Sequence, residues 1–196
     1  MNHIFATKFV YWTKIKNHKN IKKAILPDLL EDLEDNGDSY RERNHWKCSV
    51  TSSFYRDQPL EFLDQSFYSD IVWTPMKEMY REMAPIGIEP FSKLALNEFW
   101  YNHYTPGQYQ ETHNHANGGN RSLFSGVYLF DVRNSDCNTI FYDENGIAAY
   151  NMGIQQQFRT DKIQEGHVLI FPSELSHSVA PAINARITFS FNVFPA

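Results

Sequence analysis

The sequence predicts a mostly β structure, a sandwich or closed barrel, with helices ahead of it that cover one outer face. Three observations predict it. Residues 92–194 alternate between short strand-like runs and turn signals, with no helical pattern between them. Residues 1–90 mix strand and helix patterns. Aromatic residues make up 15 % of the chain, which favours pleated, half-buried surfaces and a deep core or cleft. A length of 196 residues suits one domain over 1–196, with 1–90 as buttress and 92–194 as the β core.

In chain order, Ile4 to Ile15 reads as an edge strand. Asn20 to Asp35 reads as an amphipathic helix, because Ile21, Ala24, Ile25, Leu29, Leu30 and Leu33 recur at helical spacing. Trp46 to Ser52 is a strand candidate. Two helices are expected between Pro59 and Met83, the second opening at Thr74 as N-cap with Pro75 in its first turn. Its Met76, Met79, Tyr80 and Met83 are spaced to pack into a core. Strands are then expected at Leu94 to Tyr104, Tyr109 to His115, Ser122 to Val132, Thr139 to Tyr142, Ala148 to Phe158, His167 to Phe171, Ser176 to Val179 and Arg186 to Phe194. Pro106-Gly107, Gly118-Gly119, Glu144-Asn145-Gly146 and Pro181 supply turns between them.

Composition excludes more than it assigns. A net charge of −5 argues against a nucleic-acid binder, which needs a basic face to displace counterions. The one basic cluster, Lys14 to Lys23, is followed by Glu31 to Glu34 and reads as solvated surface. Cys48 and Cys137 are far apart in sequence and read as reduced thiols. Lys8 and Lys14 interrupt the N-terminal apolar run, so neither a signal peptide nor a spanning helix is expected. The expectation is a soluble, cytoplasmic protein. A small-molecule or peptide substrate and a second copy in a homodimer are the partners it leaves open, without nucleic acid or membrane.

Three short segments carry chemistry. In Tyr109-Gln-Glu-Thr-His113-Asn-His115, residues two apart in a strand share a face, so both imidazoles project together from roots about 7 Å apart. Neutral imidazole suits Fe, Zn, Cu or Ni, so the pair does not choose a metal. In Gly166-His167-Val-Leu-Ile-Phe171-Pro172-Ser-Glu-Leu-Ser-His177, a buried strand stops at a proline and a histidine opens the next strand. That histidine belongs at a barrel mouth, where a third ligand would complete a site. In Arg186-Ile-Thr188-Phe-Ser190-Phe-Asn192 the polar residues share one face, which in a soluble barrel is expected outside. Yet an arginine nine residues after His177 is placed to hold a carboxylate in its planar fork.

Together these segments resemble the 2-oxoglutarate and Fe(II)-dependent oxygenases, more narrowly the small 2OG-Fe(II) oxygenases of bacteria and cyanophages. Tyr104-Thr-Pro-Gly107 resembles the Tyr-Pro-Gly stretch of the prolyl-hydroxylase branch, and Ser125-Gly-Val-Tyr128-Leu the strand after the metal pair. Asn97, Trp100, Asn102, the His-x-His pair and the closing Arg-Ile-x-x-Ser-x-Asn echo the small-oxygenase group, over residues 95–194. The resemblance implies a double-stranded β-helix, a jelly-roll or cupin-like barrel buttressed by helices. It implies Fe(II) on His113, His115 and His177, and 2-oxoglutarate as co-substrate, its far carboxylate on Arg186. Tyr128 and Tyr104, with Asn102, Asn192 and Ser125, would line the co-substrate site. The implied reaction is hydroxylation, with succinate and carbon dioxide as co-products, of a substrate that leans to a peptidyl, prolyl target.

Position 115 departs from the superfamily, where Asp or Glu is usual. Three imidazoles leave the iron one negative charge short, and Glu111, expected on the same strand face, is the rival third ligand. A cupin is the rival family, since Gly107, His113-x-His115, Gly166, Pro172 and His177 echo both cupin motifs. The glutamate a cupin carries after its second histidine is missing from Ala116 to Asn120, and a cupin has no need of Arg186. A barrel that has lost turnover is the third reading.

Overall fold

The computed structural model describes residues 8–48, 50–56, 59–90, 93–116, 122–133, 139–143 and 157–196. Cys137, the turns at Gly118-Gly119 and Glu144-Asn145-Gly146, the start of the first expected strand and most of Ala148 to Phe158 lie outside them.

Strand β1 spans Tyr11–Lys14. Helix α1 runs over His18–Glu42, longer at both ends than the expected helix. It continues past Pro27 and Asp35 because its inward stripe does: Leu29, Leu33, Gly37 and Tyr40 follow at spacings of three or four. Only Thr51–Ser52 of the expected Trp46 to Ser52 strand pairs, as β2. Helix α2, Gln65–Tyr68, is capped by the Asp64 carboxylate, which accepts from the Phe67 amide at 2.8 Å. It continues without a break through a π-helical turn, Ser69–Trp73, into α3, Thr74–Met83. Thr74 is therefore not an N-cap, since its backbone is already helical. Proline has no N–H to return to the preceding turn, and a wide π turn is one way a helix absorbs that loss.

The remaining strands are β3 Leu94–Tyr104, β4 Gln110–His113, β5 Phe124–Asp131, β6 Thr139–Tyr142, β7 Gln157–Arg159, β8 His167–Pro172, β9 His177–Val179 and β10 Arg186–Pro195. Among the described residues they form two antiparallel sheets, β1-β8-β5-β10-β3-β2 and β4-β9-β6-β7. The architecture is a double-stranded β-helix with helices on one face. As expected, β1 is an edge strand.

The large sheet has two unlike faces. Its outer face presents Phe99, Tyr101, Tyr128, Phe130, Phe189 and Phe191, which pack with Leu29, Ile71, Val72, Met76 and Met79 of the helical layer in one buried cluster. Burial of this kind stabilises by about 25 cal/mol for each Å² of apolar surface removed from water. Gly126 is required here, because a Cβ at that position would lie 2.0 Å from the Phe191 ring. Between the sheets a second cluster gathers Leu129, Phe141, Ile163, Leu169, Phe171 and Leu175. The rest of the inner face, polar along β10, lines a cavity.

The basic cluster near the N-terminus is not wholly solvated. The Lys22 ammonium lies 2.8 Å from Asp131 and 2.9 Å from Glu165, tying α1 to the rim of the large sheet. Burial disfavours its charge, but the two carboxylates outweigh that and hold the ammonium above its usual range. Cys48 is a free thiol. Among the described residues no helix is long and apolar enough to cross a membrane.

Candidate metal centre

Register explains how three histidines converge. In the antiparallel pair β4–β9, His113 stands directly opposite His177, which puts their side chains on neighbouring roots. His115 follows two residues on, past the end of β4, where its backbone N–H donates to the Ser173 carbonyl at 2.8 Å. Ring centroids lie 4.3 Å apart for His113 and His177, 5.0 Å for His115 and His177, and 5.4 Å for His113 and His115. Each offers one nitrogen within 4.8 Å of the others, a spacing that could hold one metal ion.

Hydrogen bonds fix which nitrogen each ring offers. Nδ1 of His113 lies 2.8 Å from the Glu111 carbonyl, and Nδ1 of His177 lies 3.0 Å from the Leu175 carbonyl. Nδ1 of His115 lies 2.7 Å from the side-chain oxygen of Asn192. All three partners are acceptors, so each Nδ1 carries the proton and donates it, leaving the Nε2 lone pairs for a metal. Aromatic rings dry the site. Trp46 packs edge-on against His113 at 4.5 Å, Phe171 lies 4.9 Å from His177, and Trp100 lies 5.8 Å from His115. Burial accordingly pushes all three imidazoles toward neutrality: His113 down to about 4, His115 below its usual value and His177 well below it. Neutral, pre-oriented imidazoles are what a divalent transition metal needs.

Glu111 is not in this cluster. A bulge between Gln110 and His113 breaks the two-residue alternation, so Gln110 shares the cavity with His113 and Glu111 does not. Its carboxylate accepts instead from the Lys47 backbone N–H, beside Trp46.

The three histidines open into a cavity of about 520 Å³, which also takes in Asn102, Tyr104, Arg186, Thr188, Ser190 and Asn192. The polar face of β10 therefore points inward, the reverse of the ordinary expectation for a soluble barrel. Arg186 is 2 % exposed, and its guanidinium lies 4.2 Å over the Tyr104 ring. The Tyr104 hydroxyl donates to Gln110, and burial pushes its pKa up to about 12 even though Arg186 pulls the other way. Asn102 donates to the Ser190 hydroxyl, while its own oxygen is buried without a partner.

Two expected co-substrate residues are corrected. Tyr128 does not face the cavity; alternation along β5 turns Val127 and Leu129 inward and Tyr128 outward. Its hydroxyl lies 2.7 Å from Nδ1 of His18, whose Nε2 is 3.0 Å from Glu165. Ser125 sits behind the cavity wall, donating to Asn192 at 2.7 Å and meeting Ser173 at 2.9 Å. Asn192 lines the cavity, but its oxygen is committed to His115 and Ser125. Sequence reasoning missed Trp46, Phe54 and Tyr55 at the cavity mouth, which reach it from the segment before β3. Asn97 of the quoted pattern faces a separate pocket beside Arg56 and Tyr68.

Comparisons with known proteins agree with the fold. No curated protein matches the sequence. Solved structures resemble it widely. A Pseudomonas putida prolyl-4-hydroxylase superposes with a TM-score of 0.59 at 12 % identity, covering 97 % of this chain and 95 % of that one. The carbocyclase SnoK of nogalamycin biosynthesis, described as non-heme and α-ketoglutarate dependent, gives 0.64 at 12 % identity, covering 98 % and 81 %. A prolyl hydroxylase from Trichoplax adhaerens, solved with a peptide fragment of the hypoxia inducible factor oxygen degradation domain, gives 0.56 at 10 % identity, covering 95 % and 83 %. Residues 98–192 match the model of a family described as 2OG-Fe(II) oxygenase, whose cofactors are Fe(II) and 2-oxoglutarate. The matched residues carry the histidine cluster and Arg186.

Proposed function

We propose that the chain is a 2-oxoglutarate-dependent hydroxylase in which His113, His115 and His177 hold Fe(II) and Arg186 holds the far carboxylate of the co-substrate. One observation carries the reading: three neutral imidazoles with convergent Nε2 atoms and a buried guanidinium line one cavity. The donor set fits an Fe(II) ion, since every Nδ1 proton is already committed to an acceptor. The rest of the polar lining fits a dicarboxylate. A planar guanidinium buried against Tyr104 is pre-organised for two parallel hydrogen bonds to one carboxylate. The Asn102 amide, whose oxygen lacks a partner, can turn its NH2 to the cavity because the Ser190 hydroxyl donates as readily as it accepts.

When bound, Fe(II) and 2-oxoglutarate supply the activation of dioxygen, with succinate and carbon dioxide as co-products. The chain supplies position and dryness. Arg186, Tyr104 and Thr188 orient the co-substrate along β10, and Val127 and Leu129 exclude water beneath it. Trp46, Phe54 and Tyr55 wall the mouth and suit an apolar ring on an extended peptide. A prolyl peptide is the substrate class we favour, in keeping with the hydroxylases of Pseudomonas putida and Trichoplax adhaerens. A cupin-type binder has no use for a guanidinium buried in the wall of the cavity.

The test is turnover. Anaerobically purified protein, given Fe(II), 2-oxoglutarate, dioxygen and a proline-containing peptide library, should form succinate and add one oxygen atom to a peptide. No succinate from the wild type, or equal succinate from His177→Ala, contradicts the assignment.

A further inference from the structure

One row of side chains crosses the large sheet beside the metal centre. Asn192 of β10 is in register with Ser125 of β5 on one side and Glu98 of β3 on the other. The Asn192 oxygen accepts from Nδ1 of His115 at 2.7 Å and from the Ser125 hydroxyl at 2.7 Å, while its NH2 donates to the Glu98 carboxylate at 2.5 Å. A carboxylate only accepts, so Glu98 dictates which way the Asn192 amide faces. With the amide so held, only an acceptor faces His115, and His115 must keep its proton on Nδ1.

We propose that Glu98 is a positioning residue for the metal centre: through Asn192 it fixes the tautomer of His115 and brings a negative charge to a ligand set of three neutral imidazoles. The inference rests on the metal site proposed above. Three imidazoles bring no charge of their own, so a metal here keeps its full charge unless a nearby group offsets it. Glu98 offsets it from one amide away. The carboxylate polarises the Asn192 amide, the amide strengthens its bond to the imidazole N–H, and the imidazole becomes a better donor to the metal. His113 and His177 donate to backbone carbonyls, which carry no formal charge, so His115 is the one ligand of the three with this link.

The experiment uses metal-free full-length protein and Co(II) as the probe. Co(II) affinity is measured by calorimetry, the His115 tautomer by long-range 1H–15N NMR of the metal-free protein, and folding by thermal melting. Glu98→Gln removes the charge at constant size, and it should weaken Co(II) at least tenfold while the metal-free melting temperature holds. It should also lift the constraint on the His115 proton. The double variant Glu98→Ala/Asn192→Asp moves the carboxylate directly onto His115 and should recover affinity to within about threefold of wild type, a factor worth under 1 kcal/mol. Glu98→Gln binding Co(II) within twofold of wild type, with His115 still protonated on Nδ1, overturns the proposal. So does a folded double variant that remains as weak as Glu98→Gln. Should Glu98→Gln fail to fold, the double variant alone decides. If wild type and His177→Ala bind Co(II) alike, it is the metal site that fails, and the tautomer measurement still tests the link from Glu98 to His115.

Discussion

Strand β10 carries two sets of side chains with opposite tasks. Ile187, Phe189, Phe191 and Val193 face the helices and join the largest buried cluster. Arg186, Thr188, Ser190 and Asn192 face the cavity, and all four are buried as well. Exposure therefore does not tell the faces apart; chemistry does. The outer face gains its free energy by removing apolar surface from water, which is large and non-directional. The inner face keeps polar groups out of water, which is unfavourable unless each finds a partner. A fold that tolerates such a face places its stability on one side of the sheet and its binding on the other.

The sharpest way to break that division is Phe189→Ala. It empties a fully buried ring site among Phe67, Phe99, Tyr101, Tyr128 and Phe130. Denaturant unfolding should show a loss of about 3–5 kcal/mol. Co(II) affinity of the fraction still folded should match wild type.

On the other side, His177→Ala and His115→Ala should each lower Co(II) affinity at least a hundredfold, about 2.7 kcal/mol or more. Neither should lower the metal-free melting temperature. Glu111→Ala should leave affinity within about fivefold, a factor of about 1 kcal/mol, because its carboxylate holds the Trp46 segment rather than a metal. Calorimetry on the three variants reads this directly, and His115→Asp should retain or tighten the metal.

Much of this was legible in the chain. The β3 run from Leu94 to Tyr104 and the β10 run from Arg186 were bounded by their own alternation and turn residues, and the structure keeps both starting points. The converging histidines were legible because two-residue spacing and a proline-stopped strand are local signals. What was not legible depended on partners distant in sequence. Ser125 to Leu129 shows five residues that alternate, but nothing local says which set faces the cavity. The answer is set by the helical layer, which takes Tyr128 to His18, 110 residues away. The bulge in β4 that separates Gln110 from Glu111 is likewise set by pairing with β9. The continuity of helix through Thr74 was hidden because threonine followed by proline reads as a start.

Tyr128 makes the third prediction. Tyr128→Phe removes a hydroxyl that meets His18 on the outer face. It should lower stability by about 1–3 kcal/mol, the usual range for a buried group left unpaired. 2-Oxoglutarate affinity should not change, and a changed affinity would show that Tyr128 reaches the cavity after all.

The two faces should also separate by pH in the metal-free protein. Burial holds His113 down to about 4 and depresses His115 and His177, whereas histidine in the unfolded chain titrates near 6.5. Below about 6.5 the unfolded state binds protons that the folded state refuses, so stability falls as pH falls. For His113 the loss is complete near its folded value of about 4. Glu165 behaves differently. Burial raises its pKa, but hydrogen bonds from Lys22 and His18 outweigh that and hold it below the usual carboxylate range. Its contribution is present above that range and is lost only as pH falls through the depressed value. Urea midpoints at about pH 7.5 and about pH 5.5 should therefore differ in wild type and converge in a variant with all three cavity histidines replaced by Gln.

Whether one cavity holds both a metal at the histidines and a dicarboxylate at Arg186 can be read from a single calorimetric measurement. 2-Oxoglutarate is titrated into Co(II)-loaded wild type, metal-free wild type and Co(II)-loaded Arg186→Ala. Binding should be at least tenfold tighter with metal than without. Arg186→Ala should lose about 1.5–3 kcal/mol, the range for hydrogen bonds to a charged group, with Co(II) affinity unchanged. Equal 2-oxoglutarate affinity in all three preparations contradicts such a shared cavity.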